Sequence, residues 1–330
     1  MQQGNVLTVR RNLFRIAVIL LAVVALALVY RALSRYSLDE IVDSVSRIPA
    51  GRLAAATGFA ASSYLCLTLF DWLALRYAGK PLPWRRAALA SFAGLSIGHN
   101  VGIAALSSGA IRYRFYSRWG LDGEEVARVI LFCGVTVGLG LITVGGAALL
   151  LRPQDASGIL GLGRGATLAL ACACLAIPAA YVGLSAILRR PLKVWRWSFG
   201  LPTPGLAAAQ VAAGALNFAL VAACLHQLVA ALSEAGYLEV ASAYVIGNGT
   251  AMASHVPGGL GVLEATVLHL LPGAGAVGAV VAFRVVYFFV PLAFGLPLFL
   301  FCEYWFGRQA SEQEAADPGK GIGHSVPGRS

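Results

Sequence analysis

Hydrophobic and polar residues fall in long blocks along this chain rather than in a short period. Apolar runs of roughly the 20 residues needed to cross a bilayer recur over residues 13–33, 53–77, 124–151, 166–188, 206–232 and 276–306. The run at 13–33 is longer than the apolar part of a signal peptide and has no small-residue cleavage site, so it reads as a retained helix. Residues 35–52 mix both charges on an amphipathic pattern and predict a connector lying along the membrane surface. Glu124 and Glu125 open the following run, as acids do at the positive end of a helix. His226 and Gln227, near the end of 206–232, predict hydrogen bonds between helices.

Two stretches do not fit a plain span. Residues 87–110 carry Gly94, Gly98, His99, Asn100, Gly102, Ser107, Ser108 and Gly109, too many small and polar side chains for a lipid-facing helix. Residues 246–271 contain Pro257, Gly258, Gly259 and Gly261, followed by Glu264. Proline removes an amide donor and glycine permits positive φ, so the helix is expected to break here. Breaks are predicted at Ser108–Gly109 and at Pro257–Gly261. Non-helical backbone at membrane depth has to be buried in protein or line a polar cavity, and the carboxylate of Glu264 just past the second break favours a cavity. The alternative is a Gly-rich packing helix that ends in a short loop.

Composition turns this pattern into a fold class. Of 330 residues, 58% are hydrophobic and 12% charged, the latter about half the share of a soluble domain. The expectation is an all-α polytopic membrane protein with about six to eight transmembrane helices and two broken or re-entrant hairpins. Residues 1–306 form one integral membrane domain, and the polar, Gly-rich tail 307–330 is expected to be disordered. The six cysteines lie in apolar runs and read as packing residues. The net charge of +10 sits in connectors and helix ends, where anionic headgroups supply the counter-charge. Membrane lipids are therefore the expected partners, and nucleic acid is not.

The two odd stretches echo one another. Ile97-Gly98-His99-Asn100 with Gly109 matches Ile246-Gly247-Asn248-Gly249 with Gly258 at a single offset, and Ala127-Arg128-Val129 resembles Phe283-Arg284-Val285 at a slightly larger one. Small-residue composition could also produce such matches. Loop charge gives an independent argument. If both stretches are re-entrant, the basic lead 6–15, the connectors around the first hairpin and the belt of Arg189, Arg190, Lys193 and Arg196 share one side. The loop at Glu234, free of Lys and Arg, then lies on the other. That arrangement obeys the positive-inside rule with both termini cytoplasmic, and the two hairpins enter from opposite faces, which is how many secondary transporters build a midplane site.

The candidate chemistry is charge inside apolar sequence. Arg112, Arg114 and Arg118 alternate with aromatics directly after the first hairpin and suit an anionic headgroup. Asp71 is read either as a pocket acid or as an interfacial partner of Arg76. Asn100, Glu264 and Arg284 complete the set, with Glu264 expected within reach of Arg112 or Arg284. No catalytic constellation, metal-ligand spacing or cofactor motif stands out: His99, His255 and His269 are scattered, and neither HExxH nor GxSxG occurs.

From Asn100 through Gly109-Ala110-Ile111-Arg112-Tyr113-Arg114-Phe115-Tyr116 to Gly120-Leu121, and over Val256-Pro257-Gly258-Gly259-Leu260-Gly261-Val262-Leu263-Glu264, the chain resembles the transmembrane region of the lysylphosphatidylglycerol synthetase/flippase family. The similarity covers roughly residues 10 to 306. It implies a lipid flippase or flippase-like domain in a bacterial cytoplasmic (inner) membrane. Full-length bifunctional members carry a soluble aminoacyl-transferase domain after this region, whereas here a short polar tail follows, so lipid aminoacylation by this polypeptide alone is not expected. A separate lipid-modifying enzyme and a second copy of the chain remain open as partners. Three readings follow: a lipid transporter, a membrane-embedded enzyme using Glu264 with His99 or His255, and a non-transporting accessory of envelope lipid synthesis.

Overall fold

The structure is a computed structural model that describes residues 38–101, 104–153, 161–188, 192–194, 197–254, 261–271 and 276–316. The predicted span 13–33, the basic lead, His255, Pro257, Gly258, Gly259, most of the Arg189–Arg196 belt and the tail from 317 lie outside the described residues.

The blocks of apolar sequence fold as helices. A short surface helix α1 (Leu38–Ser46) leads into α2 (Ala50–Tyr77), followed by α3 (Trp84–Val101), α4 (Ala104–Arg118) and α5 (Gly123–Leu151). Next come α6 (Arg164–Ile187), a small β-hairpin of β1 (Leu192–Val194) and β2 (Trp197–Phe199), α7 (Pro204–Val229), α8 (Tyr237–Ser254) and α9 (Val262–Leu270). Helix α10 (Ala276–Arg284) passes through a π-helical turn (Val285–Phe289) into α11 (Val290–Ala316). Among the described residues five segments are long and apolar enough to cross a membrane: Ala50–Tyr77, Gly123–Leu151, Arg164–Ile187, Pro204–Val229 and Val277–Gln309. The protein is an all-α polytopic membrane protein, with a short β-hairpin between α6 and α7 in the stretch that carries the basic belt.

Which end each helix starts from can be read off contacts. Lys80 Nζ lies 3.3 Å from Glu125 Oε1, so the end of α2 and the start of α5 are together, and the pair α3–α4 leaves and returns at that one end. Tyr77 donates to the Gly200 carbonyl at 2.7 Å, and Glu303 of α11 meets Arg114 and Arg118 of α4. The starts of α5 and α7 and the far part of α11 therefore share the Lys80 end. At the opposite end Arg52 donates to Gln227 Oε1 at 2.8 Å, Gly236 lies beside Arg152 and α1 packs on α10. The pair α8–α9 opens there. Helix α9 has nine residues and rises only about 13 Å, under half of a ~30 Å hydrocarbon core. The two hairpins thus enter from opposite ends, each followed by a spanning helix, and α2–α3–α4–α5 is matched in order by α7–α8–α9–α10/α11. This order of elements is the one an inverted repeat would have.

The halves meet along α5 and α7, where a Cβ built on Gly140 would sit 2.4 Å from the Gly214 carbonyl carbon. No side chain fits there, and two helices touch backbone to backbone, as small residues allow inside membranes. Near the hairpins the core is polar. Ser63 donates to Asn217 Oδ1 at 2.7 Å and lies 2.8 Å from the Tyr287 hydroxyl. The Tyr64 hydroxyl donates to the Tyr287 carbonyl at 3.3 Å, a carbonyl that in an α-helix would bond the amide Pro291 lacks. Asn100 Nδ2 reaches the next carbonyl, Phe288 O, at 3.2 Å. Side chains from α2 and α3 thus hold the π turn, a rare element that is often found at functional sites.

Two expectations change. Ser108 and Gly109 do not form a break; both lie within α4. Gly109 is small because Ile130 of α5 packs over it, 3.1 Å from where a Cβ would be. Residues 307–316, expected to belong to a disordered tail, instead continue α11, which runs to Ala316.

Candidate functional site

Ser108, Arg112 and Tyr116 follow one another at four-residue spacing in α4, which puts all three on one face. That face meets Asp71 of α2. Arg112 Nε and Nη2 each donate to one Asp71 oxygen at 2.7 Å, a fork-on-fork pair. Tyr116 donates to Asp71 Oδ1 at 2.7 Å, Arg112 Nη1 donates to Ser108 Oγ at 3.0 Å, and Cys133 Sγ approaches Asp71 Oδ2 at 4.0 Å. Asp71 is 0% and Arg112 4% exposed. Isolated charges at such depth cost several kcal/mol, so each is the condition for the other's presence. Arg76, the interfacial alternative for Asp71, instead lies flat on Trp72 with Cζ 3.5 Å from the ring centroid.

A second buried pair belongs to the other hairpin. Gly261, at φ +84°, starts α9 in the left-handed region that glycine tolerates. Its amide donates back to Glu264 Oε2 at 2.8 Å, while Glu264 Oε1 takes Arg284 Nε of α10. The Arg284 guanidinium also lies over Phe288, 4.4 Å from its centroid. Glu264 thus both caps α9 and neutralises an arginine, and Arg284, not Arg112, is its partner. Both side chains are buried.

The arginines grouped in the sequence reading divide between two places. Arg112 points inward, while Arg114 and Arg118 turn to the Lys80 end and grip Glu303 of α11, Arg118 at 2.8 and 3.0 Å. Asn100 holds the π turn. Arg128, matched with Arg284 in sequence, stays at the membrane edge paired with Glu124. Tyr116, Ser108 in its role as a partner of Arg112, and Glu303 were missed as functional residues. The first two are signalled by their helical spacing from Arg112, and the last by being an acid in the final apolar run. Among the described residues no group of three or more His, Cys, Asp or Glu side chains could hold a metal ion.

Each hairpin therefore has a second helix carrying one buried ionised residue, Arg112 or Glu264, tied to a neighbouring spanning helix. Residues 13–295 match the family described as the lysylphosphatidylglycerol synthase TM region. The chain belongs to this family. Similar proteins include an uncharacterized protein of Synechocystis sp., 30% identical over 82% of this chain and 86% of that one. Another is inner membrane protein YbhN of Escherichia coli, 28% identical over 90% of this chain and 93% of that one. In this member of the family both sequence segments that carry the resemblance lead into a buried pair: the first contains Arg112, and the second ends on Glu264.

Proposed function

We propose that the protein moves a phospholipid, anionic or aminoacylated, between the leaflets of a bacterial inner membrane. The observation that carries this reading is the pair of opposed hairpins, each with a buried, fully partnered charge. Folding stability alone does not call for such charges, since replacing a buried ion pair by apolar residues is often neutral or stabilising, and ionisable groups inside membranes mark substrate paths by default. A guanidinium that forks onto a carboxylate can fork equally well onto a phosphate. In the proposed cycle the headgroup phosphate takes Arg112 from Asp71. Asp71, still held by Tyr116, then receives the cationic amine of an aminoacylated lipid or a proton. Glu264 and Arg284 offer the same exchange from the opposite end. The release of each pair frees its hairpin relative to the spanning helix beside it.

The acid-base reading has less support. Both Glu264 oxygens are engaged, and the His99 ring packs among Tyr64, Tyr287 and Phe288. In proteoliposomes holding the full chain, labelled phosphatidylglycerol and its lysyl ester should change leaflet with unchanged mass. A product of new mass without translocation would favour an enzyme.

Loop charge and the positive-inside rule support a cytoplasmic Lys80 end and cytoplasmic termini. Single cysteines at Lys80 and Gly120 in a Cys-free background should then be labelled from the cytoplasmic side, and one at Gly236 only from the other. Opposite labelling of Lys80 and Gly120 would remove the first hairpin.

A further inference from the structure

A second basic site lies away from both buried pairs, at the Lys80 end between α2, α5 and α7. It is a cavity of about 430 Å³ lined by Arg76, Tyr77, Arg128, Gly200, Pro202 and Thr203, among others. Arg76 lies flat on the Trp72 indole, and among the described residues it has no carboxylate partner. A guanidinium stacked this way keeps its planar N–H edge free for an oxyanion and loses little freedom on binding. Arg128 lines the same cavity, with Glu124 holding one of its nitrogens at 2.5 Å.

The floor of the cavity adds donors. Helix α7 has 26 residues and begins at Pro204 without a side-chain cap from Thr203. The first amides of the helix have no carbonyl partner within it, and Pro202, Thr203 and Leu206, at this positive end of the helix dipole, line the cavity. The surface next to it is apolar in one direction. From Arg128, the residues three and seven positions further along α5, Leu131 and Val135, are exposed at 46% and 37% and continue the same helical face into the membrane. A soluble anion has no use for such a stripe, whereas an acyl chain does.

We infer that this cavity binds the phosphate of an anionic phospholipid, held between Arg76 and Arg128 over the start of α7, with an acyl chain along Leu131 and Val135. None of these residues belongs to the two buried pairs, and native mass spectra resolve bound lipids one by one. The site is read as the loss of one bound lipid whether or not the protein transports, so its failure and the failure of the transport reading are separate results.

The test is native mass spectrometry of the full chain in detergent, titrated with phosphatidylglycerol and, in a second arm, with inorganic phosphate. Parent protein should retain phosphatidylglycerol, and millimolar phosphate should not displace it. Arg76→Gln/Arg128→Gln should bind at least tenfold more weakly, since a charge-assisted hydrogen bond contributes about 1.5–3 kcal/mol, which is roughly a factor of ten or more each. Arg85→Gln, at the same membrane edge but outside the cavity, should bind as the parent does. If the glutamine pair does not fold, Arg76→Lys/Arg128→Lys reads the same point and should weaken binding about threefold, because an ammonium cannot fork. Undiminished binding in whichever pair folds, an equal loss in Arg85→Gln, or displacement by phosphate would each overturn the assignment.

Discussion

Arg112→Ala is expected to destabilise the protein by about 3–5 kcal/mol, the usual consequence of removing one partner of a buried ion pair. It leaves the Asp71 carboxylate, 0% exposed, with only the Tyr116 hydroxyl and the distant Cys133 thiol. Arg112→Lys restores the charge but not the two parallel hydrogen bonds, so its stability should fall between alanine and parent. Removing both charges as Asp71→Leu/Arg112→Leu takes away the stranded ion, and stability should return close to that of the parent. Thermal unfolding midpoints in one detergent check the order. If alanine alone were as stable as the parent, the pair would be no part of what holds α4 against α2.

The second large effect separates the two roles of Glu264. In Glu264→Gln the amide oxygen can still accept from Gly261, so the start of α9 stays capped, a contribution of about 1 kcal/mol. What goes is the neutralising charge beside Arg284, which is 3% exposed. Glu264→Gln should therefore fold less stably by several kcal/mol and translocate poorly. Glu264→Gln/Arg284→Gln should regain most of the stability without regaining transport. A capping role alone predicts the opposite: a near-normal single variant, and no gain from adding Arg284→Gln. Unfolding midpoints and translocation rates measured on the same preparations distinguish the two.

Spans were legible because apolar length is a direct reading of bilayer thickness, and the start of α5 was legible because Glu124 and Glu125 mark a helix N-terminus. There the structure adds the full box, with Asp122 and Glu125 capping one another at 2.8 and 2.9 Å. The opposed hairpins were legible from loop charge. The partner of Asp71 was not. Arg76 lies close in sequence and Arg112 far from it, and hydropathy does not say which face of α2 the first hairpin covers. Ser108 and Gly109 were read as a break because small residues signal either a break or a close approach of helices, and only the position of Ile130 tells which. Glu303 escaped notice for a related reason: its meaning comes from Arg114 and Arg118 on a helix that returns to the same end, a fact of topology rather than pattern.

The central claim is that the buried charges serve the passage of lipid rather than the fold, and Asp71→Leu/Arg112→Leu tests it most directly. This variant keeps the packing and removes only the exchangeable pair. In proteoliposomes matched for protein content, with labelled phosphatidylglycerol and its lysyl ester, the account predicts a variant that unfolds near the parental midpoint yet translocates neither lipid above protein-free vesicles. Parental rates in the folded double variant would contradict it.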